Sequence, residues 1–286
     1  MKKASISAII LTYNEEANLE RCLKSIEGWV EEVIIVDSYS TDATLDIAKA
    51  HGAHVAQHPF ENQAKQFNWA LEHVEIKGEW ILRLDADERI LPALAAEIVE
   101  AAENAPADVT GFYLKRRMYF MGRWIRHGGY YPVWILRLFR KGAGHSDQRA
   151  MDEHIVLAEG RAEKLRNDFV DDNRKGLSDW ISKHNSYASR EAAALIRESR
   201  GTASGTSGDD EVSRARAARR ALYQRLPLFI RPFLYFKYRY IIRLGFLDGV
   251  QGFVFHFLQG FWYRFLVDAK IYEARNPTHN GRKFPK

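Results

Sequence analysis

Runs of apolar residues alternate with amphipathic segments through the first hundred residues of the chain. The continuous apolar runs Ile6–Leu11, Val33–Val36 and Trp80–Leu84 are typical of strands that are buried on both faces. Between these runs, apolar side chains recur at helical spacing across Leu19–Ile26, and Pro92 is well placed as the first residue of a further helix. Strands that alternate with helices in this way predict a parallel sheet with helices on both faces.

The last quarter of the chain has a different pattern. Residues 212–286 hold 15 Lys and Arg against 3 Asp and Glu, whereas the rest of the chain has 27 basic and 34 acidic residues. Of the 36 aromatic residues, 16 lie between Tyr223 and Tyr272. The longest stretch without a charge, Gly249–Tyr263, has 15 residues. A membrane-spanning helix needs about 20.

This basic, aromatic tail predicts amphipathic helices that lie in the plane of a membrane or re-enter it. In that arrangement, basic side chains of the tail face anionic lipid headgroups. These side chains are Arg231, Lys237, Arg239, Arg243 and Arg264. The alternative is that the tail packs on the rest of the chain or on a second subunit.

Composition and local pattern divide the chain into three predicted parts. Residues 1–198 form an α/β domain, residues 199–211 form a linker rich in Ser, Gly and Thr, and residues 212–286 form the tail. The single cysteine, Cys22, excludes an internal disulfide and fits a reducing compartment. Because the first apolar run is too short for a signal peptide, we expect no export.

Polar side chains follow three of the predicted strands, at Thr12–Glu15, Asp37–Thr41 and Asp85–Asp87. In an open parallel sheet, ligands bind beyond the carboxyl ends of the strands, near the point where the strand order reverses. The chain has no glycine-rich phosphate loop of the GxGxxG or GxxxxGK[ST] type. This absence argues against a dinucleotide-dependent dehydrogenase and a P-loop ATPase.

The Asp85 and Asp87 carboxylates can share a divalent cation, and oxygen ligands of this kind suit Mg²⁺ or Mn²⁺. An Asp-x-Asp triplet alone would more often be a solvated turn, but its place behind a buried strand favours the metal site. Asp37 has two open interpretations. It accepts hydrogen bonds from a base or ribose, or it organises a turn with Ser40 and Thr41.

Three segments resemble the successive motifs of family 2 glycosyltransferases, which have the GT-A fold. They are residues 10–16 (ILTYNEE), 36–42 (VDSYSTD) and 84–88 (LDADE). The resemblance is closest to the bacterial branch that includes lipopolysaccharide core β-1,4-glucosyltransferases. It implies a Rossmann-like, mostly parallel sheet with helices on both faces, and an inverting transfer of a sugar from a nucleotide-diphospho-sugar. In this family the donor is usually UDP-linked and a divalent metal assists.

The resemblance also assigns residues to the donor site. Thr12, Tyr13, Glu15 and Ser40 would line the nucleotide pocket, Asp37 would bind the base, and Lys65 and Asn68 would lie near the donor. Asp85 would contact ribose or sugar, and Asp87, together with Asp85, would hold Mg²⁺ or Mn²⁺ on the diphosphate. Arg137 and Arg140, with Trp134, would contact the diphosphate or the acceptor.

Inversion by a single displacement requires a general base opposite the leaving group. Glu153 is the preferred candidate and Asp152 the second, because family members carry an acidic residue at this place. An exposed acidic loop is the alternative, and His154 would either bind the metal or orient the carboxylate. The QxxRW motif of processive members is absent, and Trp134–Arg137 only loosely resembles it. This departure favours the addition of a single sugar.

Together these observations predict a hexosyltransferase that acts on a lipid-linked, lipopolysaccharide or exopolysaccharide acceptor at the cytoplasmic face of the inner membrane. The predicted partners are a UDP-sugar, the acceptor and anionic lipids, without nucleic acid; the oligomeric state stays open. One alternative is a nucleotidyltransferase, although residues 12–16 are acidic and lack the glycines of a triphosphate-binding loop. The other is a nucleic-acid-binding module that uses the basic aromatic tail.

Overall fold

The computed structural model describes residues 4–147, 154–199 and 223–276. The chain forms two compact units, residues 1–176 and residues 177–286. The predicted linker, residues 199–211, lies outside the described residues except for Ser199, which ends a helix.

The first unit begins with the predicted alternation of strands and helices. Its elements are β1 (Ile6–Thr12), α1 (Leu19–Ile26), β2 (Glu32–Asp37), α2 (Thr44–Ala50), β3 (His54–Gln57), α3 (Gln63–His73), β4 (Trp80–Asp85), β5 (Glu88–Ile90) and α4 (Pro92–Asn104). Pro92 is the first residue of α4, as predicted, because its fixed φ suits a helix start and its missing N–H costs no hydrogen bond there.

The remaining strands of this unit are longer and less regular. They are β6 (Val109–Phe120), β7 (Arg123–Trp124), β8 (Val133–Arg140), β9 (Gly144–Ser146), β10 (Ile155–Leu157) and β11 (Arg161–Asp171). Nine described strands form one sheet in the order β3-β2-β1-β4-β8-β6-β11-β5, with β7 paired to β6, and β9 and β10 form a separate hairpin.

The sheet is mixed, whereas the sequence predicts a mostly parallel one. β1 to β4 are parallel to one another and β6 is parallel to β11, but β8 runs antiparallel to both β4 and β6. Residues 121–132, which join β6 to β8, contain no helix. Without a helical crossover the chain returns in the opposite direction.

Helices cover both faces of the sheet, as predicted. On one face α1 and α4 bury Leu23 and Leu94 against β1 and β4, and on the other α3 buries Phe67 against Ile9 and Ile81. The alternating side chains of each strand supply both cores. The strand order reverses at β1, which lies between β2 and β4.

The second unit is helical. It contains α5 (Leu177–Ser199), α6 (Ile230–Lys237), a π-helical turn (Tyr238–Ile242), a 3₁₀ turn (Gly245–Asp248), α7 (Gly249–Phe255), a second π-helical segment (His256–Trp262) and α8 (Tyr263–Arg275). Ala188 and Ala192 of α5 pack with Tyr263, Val267 and Ile271 of α8. Because of this contact, α5 belongs to the helical unit, and the boundary lies at residue 176 rather than at the predicted 198.

Two of the arginines predicted to face lipid headgroups are engaged inside the helical unit. Arg231 is buried, and its Nε lies 2.8 Å from Asp268 Oδ1. Arg264 Nη1 lies 3.0 Å from Glu191 Oε1. A buried carboxylate requires a charged or hydrogen-bonding partner, and Arg231 supplies it to Asp268. The prediction for Arg231 is therefore wrong, and the headgroup contact of the half-buried Arg264 stays a prediction.

Among the described residues, no single helix is long and apolar enough to cross a membrane. One bent pair of helical segments, Ile230–Ile242 and Gly245–Arg275, meets the length and composition criteria together, with a bend of 72° between them.

Candidate active site

The three polar clusters predicted at strand ends lie at one edge of the sheet. Thr12 at the end of β1 is paired with Asp37 at the end of β2, and Leu11 is paired with Asp85 at the end of β4. The strand order reverses at β1, in the middle of these three strands. The carboxyl ends of the strands at such a reversal are the usual place of a ligand site in an open α/β sheet.

Asp37 holds the turn after β2 in place. Its side chain is fully buried and accepts hydrogen bonds from Thr12 Oγ1 at 2.9 Å, Ser40 N at 2.9 Å and Gln57 Nε2 at 3.1 Å. The Ser40 hydroxyl donates to the same carboxylate. With both carboxylate oxygens engaged, the arrangement favours the turn-organising interpretation of Asp37, and its direct contact with a base stays a prediction.

Hydrogen bonds also join the loops that follow β1 and β2. Asn14 N donates to Ser40 Oγ at 2.8 Å, and Thr41 N donates to Asn14 Oδ1 at 2.8 Å. Asn14 and Tyr39 have positive φ values of 51° and 61°. Such backbone conformations are uncommon for residues other than glycine and are frequent at functional sites. The loops therefore form a structured rim.

Two tyrosine rings project from this rim. Tyr13 is 58% exposed and Tyr39 is 53% exposed. Exposed aromatic rings on a hydrogen-bonded loop can stack against a nucleobase. Tyr13 was predicted from the sequence and Tyr39 was not, because only its position inside the motif of residues 36–42 distinguishes Tyr39 from any other exposed tyrosine.

Glu15 joins the first loop to the segment that follows β11. Its Oε1 accepts from Lys175 Nζ at 2.6 Å and its Oε2 accepts from Asn18 Nδ2 at 2.8 Å. Burial raises the pKa of Glu15, although Asn18 and Lys175 both lower it. Lys175 lies 160 positions further along the chain, so no local pattern could have revealed this contact.

Arg137 orients the Asp85 carboxylate. Its Nη2 lies 2.8 Å from Asp85 Oδ2 and also donates to Glu88 Oε1. The strand pairing steps from Leu138 to Leu136 while the partner strand β6 advances by one residue, which makes Arg137 the extra residue of a β-bulge. A bulge re-aims the side chain of the extra residue. Here it directs the guanidinium to both carboxylates.

The Arg137 cluster is buried, which strengthens its electrostatics. Arg137 and Glu88 are 6% and 2% exposed. Burial raises the pKa of Glu88, and Asp85 acts in the same direction, while Arg137 lowers it. Burial lowers the pKa of Arg137, but Asp85 and Glu88 outweigh it and raise that pKa. Arg137 therefore positions Asp85, and its predicted contact with the diphosphate or the acceptor stays a prediction.

Asp87 is half-buried and is held by the segment that follows β11. Asn173 Nδ2 donates to Asp87 Oδ2 at 3.0 Å, and Asp172 N donates to the Asp87 carbonyl at 3.0 Å. In the described part of the chain, no cluster of three or more His, Cys, Asp and Glu residues could hold a metal. A Mg²⁺ or Mn²⁺ ion held by Asp85 and Asp87 stays a prediction.

The first 154 residues decide the family. The family model "Glycosyl transferase family 2" matches residues 7–154, which is just over half of the chain. The chain belongs to glycosyl transferase family 2. This family 2 protein is therefore a transferase, and its mixed sheet flanked by helices is the GT-A fold that the motifs implied. The match favours this function over the nucleotidyltransferase and nucleic-acid-binding alternatives.

Known proteins are similar to this family 2 chain over different lengths. A lipopolysaccharide core biosynthesis glycosyltransferase, LpsC of Rhizobium meliloti (strain 1021), is 29% identical over 95% of this chain and 93% of its own length. A glycosyltransferase of Rickettsia bellii is 43% identical over 35% of this chain and 34% of its own length. The crystal structure of S. aureus TarS 1-349 aligns over 97% of this chain and 93% of that chain, with 14% identity and a TM-score of 0.48.

Two residues of α3 that were predicted to lie near the donor, Lys65 and Asn68, have partners inside the first unit. Lys65, in the first turn of α3, pairs with Glu61, which precedes the helix, and both side chains are exposed. Asn68 Nδ2 donates to the Ser146 carbonyl at 2.9 Å, and its Oδ1 accepts from Ser146 N at 2.8 Å. Asn68 thus fixes the β9–β10 hairpin, while contacts of Lys65 and Asn68 with the donor stay predictions.

Arg140 lies at the amino end of β4, whereas the polar clusters lie at the carboxyl ends of β1, β2 and β4. It is paired with Trp80, the first residue of β4, and stacks on its ring with 4.5 Å between the guanidinium carbon and the ring centre. Its Nε donates to the Val109 carbonyl at 3.1 Å. The prediction that Arg140 contacts the diphosphate or the acceptor is therefore wrong, because β8 runs antiparallel to β4.

The two candidate bases, Asp152 and Glu153, lie outside the described residues. The described residues on either side, Asp147 and His154, are joined by a hydrogen bond of 2.9 Å from Asp147 N to the His154 carbonyl. This bond continues the β9–β10 ladder, in which Ser146 is paired with Ile155. Because the structure does not describe residues 148–153, Glu153 stays the predicted base.

Proposed function

We propose that the protein transfers a single hexose from a UDP-sugar to a lipid-linked or lipopolysaccharide acceptor, with inversion at the anomeric carbon. The observation that carries this proposal is the position of Asp87, beside the switch point and with Oδ2 already held by Asn173. The exposed Tyr13 and Tyr39 lie after β1 and β2. Two strand spacings, about 10 Å, separate β2 from β4, which suits a nucleoside diphosphate laid across the edge.

A divalent cation at this edge would neutralise the negative charge that develops on the leaving diphosphate. We assign Asp87 as its protein ligand, because Arg137 already engages Asp85 Oδ2. Asp85 in this orientation presents its carboxylate to hydroxyl groups of the ribose or the sugar. The buried guanidinium stabilises that orientation in the absence of substrate, so the carboxylate needs no rearrangement when the donor binds.

Glu153 takes the proton from the acceptor hydroxyl as that oxygen attacks the anomeric carbon and the bond to the diphosphate breaks. The test compares Glu153→Gln with the neighbouring change Asp152→Asn. Glu153→Gln should abolish transfer and leave UDP affinity unchanged, while Asp152→Asn should retain most activity. Loss of UDP binding in Glu153→Gln, or full activity in it, would contradict the assignment. Proton NMR of the product reports whether the anomeric configuration is inverted.

Similarity to the lipopolysaccharide core enzyme LpsC extends over 95% of this chain and therefore includes the helical unit. This extent supports an acceptor of the same class, a glycolipid or its precursor in the envelope. An acceptor anchored in a bilayer favours an enzyme that binds the same surface, and we propose that this surface is the cytoplasmic face of the inner membrane.

The bend of the helical unit is the part that we assign to the membrane. Exposed apolar side chains crowd it, and two of them, Ile242 and Val250, are 69% and 75% exposed. The others nearby are Ile241, Leu244, Phe246, Leu247 and Phe253. An apolar patch of this extent on a protein surface marks an interaction site. Lys237 and Arg243, both exposed, lie beside the patch and suit anionic headgroups.

Flotation of the full chain with vesicles tests this assignment. The protein should float with phosphatidylglycerol-containing vesicles, and the variants Ile242→Asp and Val250→Asp should remain in the soluble fraction. Phe60→Asp, which places the same charge on an exposed residue of the other unit, should float normally. Equal flotation of all variants would contradict the proposal. So would a dimer in light scattering that the two bend variants abolish, because a second copy would then cover the patch.

A further inference from the structure

Trp134 on β8 lies between two lysines. The Nζ atoms of Lys115 and Lys164 are 5.4 Å and 5.3 Å from the centre of its ring. Lys115 is the cross-strand partner of Trp134, and Lys164 comes from the neighbouring strand β11. Lys164 is exposed and the indole is half-buried. The indole holds both ammonium groups in place at the surface of the sheet.

Trp124 on β7 has the same arrangement with two arginines. The guanidinium carbons of Arg117 and Arg126 lie 4.8 Å and 5.4 Å from the centre of its ring. Arg126 is exposed, and the Trp124 indole is half-buried. We define the cationic surface by the four basic residues and the two indoles: Lys115, Arg117, Trp124, Arg126, Trp134 and Lys164.

The cationic surface carries more positive charge than its own carboxylate neutralises. Buried Asp168 lies 2.7 Å from Arg117 Nε and 3.4 Å from Lys115 Nζ. A contact with an aromatic ring orients a cation but leaves its charge in place. Four basic side chains and one carboxylate therefore leave three positive charges within this group. An anionic ligand would remove their mutual repulsion.

The strand register sets the cationic surface on the same edge of the sheet as Asp85. β8 runs antiparallel to β4, and Leu138 is paired with Leu82. Because Arg137 is the extra residue of the bulge, Trp134 lies three register positions from Leu138 and is level with Asp85, at the carboxyl end of β4. It also shares the face of Leu136, which packs in one core cluster with Ile155 of β10.

From this placement we propose that the cationic surface binds the acidic group of the saccharide acceptor, either a phosphate or a carboxylate on a sugar. The inference rests on the proposed transferase function and specifies the class of acceptor. Lys164 beside Trp134 and Arg126 beside Trp124 are the two residues that we assign to the acidic saccharide, because Lys115 and Arg117 already engage Asp168. An acidic sugar held here lies on the side of the sheet from which the β9–β10 hairpin projects.

Indole N–H signals in a ¹H–¹⁵N NMR titration of the full chain report on this surface directly, after assignment with Trp124→Phe and Trp134→Phe. The probes are glucose 6-phosphate, glucuronate, glucose and inorganic phosphate. Glucose 6-phosphate or glucuronate should shift the Trp134 signal saturably, and glucose should not. The tighter-binding acid identifies the acidic group. Lys164→Gln and Arg126→Gln should each weaken that binding by about fivefold, as expected for an exposed charge pair.

Lys49→Gln, at an exposed lysine of α2, is the matched control and should bind the acidic sugar like the wild type. An equal response to glucose, an unchanged response in Lys164→Gln and Arg126→Gln, or equal affinity for inorganic phosphate and the acidic sugars would overturn the proposal. UDP binding, measured separately on the same variants, keeps the two proposals distinguishable. Failure of UDP to bind the wild type would contradict the proposed UDP-sugar donor and leave the NMR result standing.

Discussion

Arg137 Nη2 lies 2.8 Å from Asp85 Oδ2, and the same nitrogen donates to Glu88, so one guanidinium links the two carboxylates on either side of Asp87. The link depends on a β-bulge in β8, which turns Arg137 toward the end of β4. It separates the tasks of the acidic residues. Arg137 holds Asp85 and Glu88, and Asp87 is the carboxylate that we propose as the metal ligand.

Replacement of Arg137 should lower the free energy of unfolding. Arg137→Met leaves Glu88 buried without its cation, which costs about 3–5 kcal/mol for a broken buried pair. The double variant Arg137→Met, Glu88→Gln should recover part of that loss, since a neutral amide needs no counterion. Urea unfolding measures both. Equal stability of the single and double variants would show that the pair is not coupled as described.

Tyr13 and Tyr39 should contribute to UDP affinity through stacking. Tyr39→Ala is expected to raise the dissociation constant of UDP about tenfold, and Tyr39→Phe should retain the wild-type value because the ring remains. Tyr13→Ala should have an effect of the same direction. Tyr272→Ala, at an exposed tyrosine of the helical unit, serves as the control. Calorimetry with UDP distinguishes the outcomes, and an unaffected constant in both alanine variants would remove the tyrosines from the site.

Lys175 should act on the donor site through Glu15. Lys175→Met removes the cation 2.6 Å from Glu15 Oε1 and releases the loop after β1 from the segment after β11. Because Lys175 lowers the pKa of Glu15, the variant should raise that pKa further. The expected result is weaker UDP binding with a transfer rate at saturating donor that is nearly unchanged. A fall in that rate alone would point to a different role for Lys175.

Arg231 should matter for the stability of the helical unit and not for vesicle binding. Asp268 is buried and also accepts from Phe229 N at 2.8 Å, so Arg231→Met leaves an uncompensated charge. Its unfolding free energy should fall by about 3–5 kcal/mol. By contrast, Lys237→Gln and Arg243→Gln should leave stability unchanged and weaken flotation with anionic vesicles. If Arg231→Met instead left stability unchanged and weakened flotation, Arg231 would face the lipid headgroups after all.

Local patterns were sufficient to predict the first half of the fold. Apolar runs and helical spacing identified β1, α1, β2 and β4, and three polar clusters were correctly grouped at one edge because parallel strands end together. The antiparallel β8 could not be predicted in this way, since an apolar run carries no information on strand direction. Arg140 was misassigned for that reason.

Contacts between residues that are far apart in the chain could not be predicted from local sequence patterns either. Arg137 was placed near the donor, but its role in holding Asp85 depends on a register shift between β6 and β8. Arg231 looks like any other arginine in a basic tail, and only the three-dimensional packing brings Asp268 to it. The boundary at residue 176 follows from the packing of α5 on α8, which helical periodicity alone does not indicate.

The most direct test of the account measures UDP binding by thermal shift and calorimetry, with and without Mn²⁺, in the wild type, Asp87→Asn and the control Asp46→Asn on α2. Wild type and Asp46→Asn should be stabilised by UDP only when Mn²⁺ is present, by about 2.7 kcal/mol at a hundredfold excess over the dissociation constant. Asp87→Asn should lose that stabilisation while its unfolding without ligand stays normal. Metal-dependent UDP binding that is undiminished in Asp87→Asn, or no UDP binding at all, would contradict the assignment of this edge as the donor site.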